Sequence, residues 1–258
     1  MPKVIAITNQ KGGVGKTTTA INFSCGLSKK GKRVLLVDLD PQAHATIGLG
    51  VEPGSFQKAI HDVLVNKRAM EEVVLSTRFS GLFLAPSHIR LDRAEQQLIP
   101  EMYRESILER SLQGLDYDFI VIDCRPTLGI LTVNALKACD FIIVPCEIAR
   151  YSLEGFADLM DTIATVKSAD GFDIGERVRI LLTKYDSRKS VSIEWVIQQL
   201  EPFRHMLFQT RIRQNEALNQ AHMAMEPIFQ FKPNSFGAED YWQLTEEFLN
   251  QCLPSGKN

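Results

Sequence analysis

Asn9-Gln10-Lys11-Gly12-Gly13-Val14-Gly15-Lys16-Thr17-Thr18 stands between an apolar β-rich run, Val4 to Thr8, and a helix-like stretch, Thr17 to Lys30. Glycines at these spacings let the backbone curl until successive N–H groups point inward at an anion. The helix that starts there adds its positive end to the same place. Lys16 can reach β- and γ-phosphates, and the Thr17 hydroxyl can bind Mg²⁺. The generic phosphate loop has a glycine five positions before Gly15, where this chain has Gln10. The string fits instead the variant K-G-G-x-G-K-T. Six fixed positions match by chance with a probability on the order of 10⁻⁵ for a chain of this length.

Outward from the loop, short apolar runs alternate with helix-like stretches. Val34 to Val37, Leu82 to Ala85, Phe119 to Ile122, Phe141 to Val144 and Val178 to Leu182 read as strands buried on both faces. Between them lie helix candidates at Gln57–Leu64, Glu101–Leu112, Leu131–Ala138, Leu153–Ser168 and Ser192–Leu200. This alternation implies an α/β fold: a three-layer sandwich with a mostly parallel, twisted central sheet flanked by helices. No linker, repeat or shift in composition divides residues 1–258, so one domain is expected. Ligands in such sheets bind beyond the carboxyl ends of the strands.

Carboxylates stand at two of those ends. Val37-Asp38-Leu39-Asp40-Pro41-Gln42 puts Asp38 and Asp40 on one side of a strand end. Phe119-Ile120-Val121-Ile122-Asp123 sets an aspartate after four apolar residues, the arrangement that holds a Mg²⁺-bound water in phosphate-loop enzymes.

The 258 residues are 45% hydrophobic and 23% charged, with a formal net charge of −2, so a globally basic nucleic-acid coat is excluded. A local basic patch is not. Mean hydropathy is −0.07, and no apolar run nears the roughly 18 residues of a membrane span. The N-terminal apolar run lacks a small-residue cleavage site, so no signal peptide is expected. Five cysteines without a C-x-x-C pair read as reduced thiols. Between Arg177 and Arg213, eight basic side chains face three acidic ones, a surplus suited to a polyanion.

Taken together, the K-G-G-x-G-K-T, D-x-D-P-Q and strand-end Asp123 strings resemble the ParA/MinD superfamily of deviant Walker ATPases, and most of all its small ParA (Soj-like) branch. The resemblance implies ATP and Mg²⁺ as cofactors. It implies nucleotide contacts from Lys11, Gly12, Gly13, Val14, Gly15, Lys16, Thr17 and Thr18, and Mg²⁺ held through Thr17, Asp123 and, by way of water, Asp38. Asp40 would position the attacking water, with Lys11 and Lys16 as the other catalytic residues. In that family the lysine matched by Lys11 crosses a dimer interface to the partner's nucleotide. Pro145 to Gly155 resembles a segment near that interface. Small ParA proteins bind DNA without sequence preference as ATP dimers, and their basic contacts match Arg188 and Arg213, with Lys189 and Arg211 beside them.

The implied protein is a cytoplasmic, nucleoid-associated partition or positioning ATPase. It would be released from DNA when a ParB-like or cargo-adaptor protein stimulates hydrolysis. A MinD-like membrane-associated ATPase and a nucleotide-gated binder with negligible turnover are the alternatives. The tail carries Glu239, Asp240, Glu246 and Glu247 and only one basic residue, Lys257, which is the wrong sign for a lipid-binding helix. No helix-turn-helix extension is expected before the first strand. One departure stands out: Cys124-Arg125-Pro126-Thr127-Leu128-Gly129 has Arg125 where the family switch has its first proline. An arginine there could loosen the switch, contact phosphate or face water.

Overall fold

The computed structural model describes residues 1–148, 155–168, 171–188 and 190–253. Seven strands form one sheet: β1 (Lys3–Ile7), β2 (Val34–Leu39), β3 (Leu75–Ser76), β4 (Leu82–Ala85), β5 (Phe119–Cys124), β6 (Phe141–Glu147) and β7 (Val178–Thr183). Their order is β3-β4-β2-β5-β1-β6-β7, and all pair in parallel except the two-residue β3. Six helices of eight or more residues are described: α1 (Lys16–Lys29), α2 (Ile130–Ala138), α3 (Phe156–Lys167), α4 (Ser190–Gln199), α5 (Glu216–Met223) and α6 (Phe236–Cys252).

Alternation along each strand explains the three layers. Val4, Ala6, Leu35, Val37, Ile120 and Ile122 point to one face, where Leu131, Ala135, Leu159 and Ile163 of α2 and α3 close the core. Ile5, Ile7, Leu36, Val121 and Ile143 point to the other, against Phe23 and Leu27 of α1 and Tyr241, Leu244 and Phe248 of α6. Each strand is therefore apolar on both sides, as the continuous apolar runs required.

Every strand read from the sequence is present, with the expected helix from the loop beginning at Lys16. Three helices are shorter than read. The stretch 57–64 is helical only from Ile60, because Ala59 is extended and its N–H donates to the Asp62 carboxylate at 3.0 Å. The stretch 101–112 breaks at Tyr103, whose φ of 55° is left-handed, and its α-helix begins at Ile107. Leu108 N–H there donates to the buried Asn134 Oδ1 of α2. α3 begins at Phe156, and the residues just before Gly155 lie outside the described ones.

The acidic tail is helix α6, and it packs closely on α1. Phe23 and Phe248 meet edge to face at 5.1 Å, and Thr19 and Tyr241 share a hydrogen bond of 3.2 Å. Gly26 sets the approach, because a Cβ there would collide with the Thr245 hydroxyl. Gly26→Ala should therefore lower stability by about 1–2 kcal/mol, overpacking outweighing the gain in helix propensity. Adding Thr245→Ala should restore it to the wild-type value or above. Thermal melts of the single and double variants check this, and a double variant no more stable than Gly26→Ala would contradict the close-approach reading.

Candidate functional site

Loop 8–15 leaves β1 at the carboxyl end of the sheet and is held from three sides. Asn9 Nδ2 donates to Pro145 O at 2.7 Å, while Asn9 Oδ1 accepts from Lys11 N at 3.0 Å and shapes the turn. Thr183 Oγ1, at the end of β7, donates to Val14 O at 2.8 Å. Gly13 and Gly15 have φ of +75° and +92°, which only glycine adopts without strain. Gly12 and Gly13 are exposed, and a Cβ on either would meet nothing within 4 Å. α1 starts from Gly15 with no side-chain cap and no acidic residue in its first turn. Its amino end therefore suits an anion.

Lys16 is buried, and its Nζ donates to Lys11 O at 2.8 Å across the loop. Burial pulls its pKa down, while Asp123, Cys124 and Asp40 act in the opposite direction. Asp38 and Asp123 are register partners on β2 and β5, and both are fully buried. Their environments differ. Asp38 accepts from Thr46 N (2.8 Å), Thr46 Oγ1 (2.7 Å) and Asp40 N (3.2 Å). Neither oxygen of Asp123 has a hydrogen-bond partner. Burial pushes the Asp123 carboxyl well up, the Asp38 charge adds to this, and the Thr17 hydroxyl and Lys16 oppose it. Burial likewise raises Asp38, to about 6, against its hydrogen bonds. Asp40 follows β2, half-buried, and accepts from Gln42 N at 2.9 Å.

An orphaned buried carboxylate beside a threonine hydroxyl and an open anion loop fits a hydrated Mg²⁺ bound with a polyphosphate. No cluster of three or more His, Cys, Asp or Glu is found among the described residues, so they alone offer no metal cage. That is the usual arrangement for Mg²⁺, which keeps its waters and shares phosphate oxygens. A cavity of about 230 Å³ adjoins the loop, lined by Gly15, Thr18, Thr183, Asn215, Asn219 and Tyr241. No sequence motif marks the last three. Asn215 and Asn219 reach the site because residues 207–214 run beside β7, Phe208 N donating to Ile180 O at 3.0 Å and Ile212 N to Leu182 O at 2.8 Å, and Tyr241 because α6 packs on α1.

The same pairing brings the two basic segments together around a depression of about 440 Å³ that includes Arg188 and Arg213. Arg188 is exposed and pairs with Asp186 at 2.9 Å. Arg211 is exposed and lies over the Tyr185 ring at 4.9 Å. Arg213 Nε donates to Asp240 Oδ1 at 2.9 Å, and its Nη2 pairs with Asp240 and Glu239. Lys189 lies outside the described residues, as do Ala149 to Glu154 of the interface-like string and Lys257 of the tail. Arg125 does not simply face water. Its guanidinium turns to Glu95 Oε2 (3.3 Å) and Asp92 Oδ1 (3.6 Å), with side-chain exposure of only 18%. No helix among the described residues is long and apolar enough to cross a membrane.

A family model described as an AAA domain matches residues 2–174. The sporulation initiation inhibitor protein Soj of Bacillus subtilis is 41% identical over 249 residues, which cover 96% of this chain and 98% of the relative. The chromosome partitioning protein ParA of Myxococcus xanthus is 37% identical, covering 98% of this chain and 89% of that protein. Among solved structures, a cobyrinic acid a,c-diamide synthase from Mycobacterium smegmatis with bound ADP and magnesium superposes with a TM-score of 0.82. It is 31% identical and covers 97% of this chain and 95% of that one.

The buried carboxylates generate a pH signature. A carboxyl whose pKa is raised on folding keeps its proton in the folded chain after the unfolded chain has lost it. Stability then falls as pH rises from the unfolded value near 3.8 through about 6 for Asp38, and the raised Asp123 carboxyl acts in the same direction. Asp123→Asn should flatten this decline and raise Tm at pH 8 in the absence of ligand. It should also cut Mg²⁺-dependent ATP turnover by ~10²-fold or more. Melts across pH 4–8 and a phosphate-release assay test the two halves. A variant with the wild-type pH slope would contradict the buried-charge assignment.

Proposed function

The chain belongs to the Soj/ParA family of partition and positioning ATPases, and on that premise we propose that it hydrolyses ATP as a DNA-bound dimer, in the cytoplasm on the nucleoid. The observation that carries the nucleotide part is Asp123, buried with both oxygens unpartnered at the mouth of an open, glycine-lined loop. Bound Mg²⁺ would neutralise phosphate charge as it develops. Asp123 and the Thr17 hydroxyl would hold it, with Asp38 keeping the strand end in register through Thr46 and contributing through water. The amides of residues 12–18 and the end of α1 would bind phosphate. Lys16 would exchange the Lys11 carbonyl for phosphate oxygens, a stronger, charge-assisted bond. The cavity along Asn215, Asn219 and Tyr241 would take the nucleoside.

The Asp40 charge acts on both Lys16 and Asp123, and Asp40 would position or polarise the attacking water. Lys11 would reach the partner's nucleotide and stabilise transition-state charge. Release from DNA would follow stimulation by a ParB-like or cargo-adaptor protein. A lipid-bound reading is disfavoured by α6, whose apolar side is buried against α1. Asp40→Ala should retain ATP and form a persistent dimer while losing roughly 10²-fold or more in turnover. Lys11→Ala should bind ATP as a monomer. Light scattering beside phosphate release checks both, and a Lys11→Ala dimer with normal turnover would exclude action in trans.

Non-specific DNA binding would rest on phosphate contacts. Arg188 and Arg211 are exposed cations here, and Lys189 belongs to the same expected set. Arg213 is committed to Asp240 and Glu239 and would contribute less charge. Arg188→Ala and Arg211→Ala should each lower the salt dependence of ATP-dependent binding by about one unit for every phosphate no longer neutralised, about two in the dimer. Arg213→Ala should act mainly on stability. Binding titrations at several salt concentrations, with and without ATP, decide this. Equal binding by the nucleotide-free chain would refute a dimer-gated mechanism.

A further inference from the structure

Arg125 lies two residues beyond Asp123, on the segment that joins the Mg²⁺-binding strand end to α2. It stands where the related switch carries a proline. Proline stiffens a segment by fixing φ. Arginine has no such effect, so any restraint on residues 124–129 must come from the side chain. The structure supplies one. The guanidinium packs against the 89–98 segment, 3.3 Å from Glu95 and 3.6 Å from Asp92. Glu95 is itself drawn beneath the same segment, since a Cβ on Gly129 would collide with its carboxylate. Gly129 has an ordinary φ of −72°, so it is this close approach and not its backbone that favours glycine.

The pairing is incomplete. Arg125 Nε and Nη1 and Glu95 Oε1 are buried without a hydrogen-bond partner. Asp92 is largely exposed, at 63%. A guanidinium gains most from a carboxylate through two aligned N–H bonds, and neither carboxylate provides them here. Unmet donors in a half-buried pair lower the cost of separating it. The pair therefore joins the two segments by charge without locking them by aligned hydrogen bonds.

We propose that Arg125, with Glu95 and Asp92, forms an electrostatic latch that holds residues 124–129 in the position they take here and opposes their displacement when ATP binds. Arg125 is a positioning residue in this scheme: it acts on Asp123 through the backbone and does not touch the nucleotide. The proposal rests on the reading of this end of the sheet as an ATP site. A latch that favours this position weakens apparent ATP affinity by the factor of that bias, and opening it returns the factor.

The test uses the full-length chain with four changes: Arg125→Ala, Asp92→Asn plus Glu95→Gln, the combination of all three, and Gly129→Ala, which displaces Glu95 without altering charge. Hydrogen exchange of peptides spanning 124–132 is measured without nucleotide, and affinity for a slowly hydrolysed ATP analogue is measured with Mg²⁺. Each change should speed exchange and tighten analogue binding by about five- to tenfold, the range of a typical coupling. The triple variant should show no more than Arg125→Ala alone, because both remove one interaction. Arg125→Lys, which keeps the charge, should retain part of the protection. Additive effects, unchanged exchange, or weaker analogue binding in the carboxamide variant would overturn the latch. A wild-type chain that binds no ATP would refute the nucleotide reading instead, while the exchange arm would still decide the latch.

Discussion

The site is organised around one unfavourable circumstance: two aspartates side by side at the buried end of a parallel sheet. Asp38 and Asp123 are register partners on adjacent strands, both fully buried. Desolvation disfavours each charge, and each disfavours the other. The sequence compensates unequally. Asp38 receives Thr46 and the Asp40 amide, and Thr46 in turn accepts from Ser87 N at 2.9 Å, so that carboxylate is built into the frame. Asp123 receives no hydrogen bond. What remains near it is Lys16, the Thr17 hydroxyl and the amino end of α1, all on the loop side. A group paired so poorly in isolation is a reservoir of binding energy for a cation, and strain of this kind is concentrated where function requires it.

Lys16 links that carboxylate to Lys11. While its ammonium rests on the Lys11 carbonyl, the loop is closed on itself by a bond from side chain to backbone. Any anion that draws Lys16 away also frees the Lys11 backbone from that bond, leaving Asn9 as its hydrogen-bond tie through the amide. Under the proposed function, the residue that would cross a dimer interface is thus tied to the residue that would bind phosphate in its own subunit, and occupancy and dimer formation would act through one short loop.

The legible part of this architecture consists of contiguous strings. The glycine loop, Asp38-Leu39-Asp40 and Asp123 each follow an apolar run, and period-two alternation fixes where a strand-end side chain points. The fold and the course of the glycine loop could be read for that reason. The cavity beside the loop could not. Asn215 and Tyr241 face Gly15 only because residues 207–214 pair beside β7 and α6 returns over α1, packing together groups as far apart in sequence as Thr19 and Tyr241. The interruption at Tyr103 was equally hidden, because nothing in Met102-Tyr103-Arg104 announces a left-handed backbone, and the Asn134 side chain that organises the next turn lies 26 residues beyond Leu108. Arg125 was visible as an oddity, yet its partners Asp92 and Glu95 belong to the least distinctive stretch of the chain.

Charge counted along the chain and charge presented by the surface are different quantities. Eight cations against three anions between Arg177 and Arg213 suggest a strong basic face. Folding returns the acidic residues of α6 to that very segment. Asp240 and Glu239 take Arg213, and Glu247 accepts from Gln209 N and Thr210 N. The tail that argued against lipid also discounts part of the polyanion site. Among the described residues, fewer cations face outward than the string suggests, and Arg188 is itself held by Asp186 in a bidentate pair, Nε to Oδ1 and Nη2 to Oδ2, both at 2.9 Å. One copy therefore offers a weak, salt-sensitive surface. On the proposed reading, a second copy would double the charge without doubling the entropic cost of holding the DNA, so association of two chains would change affinity far more than any single arginine does. Acidic side chains set next to a basic surface would then make that surface depend on the dimer.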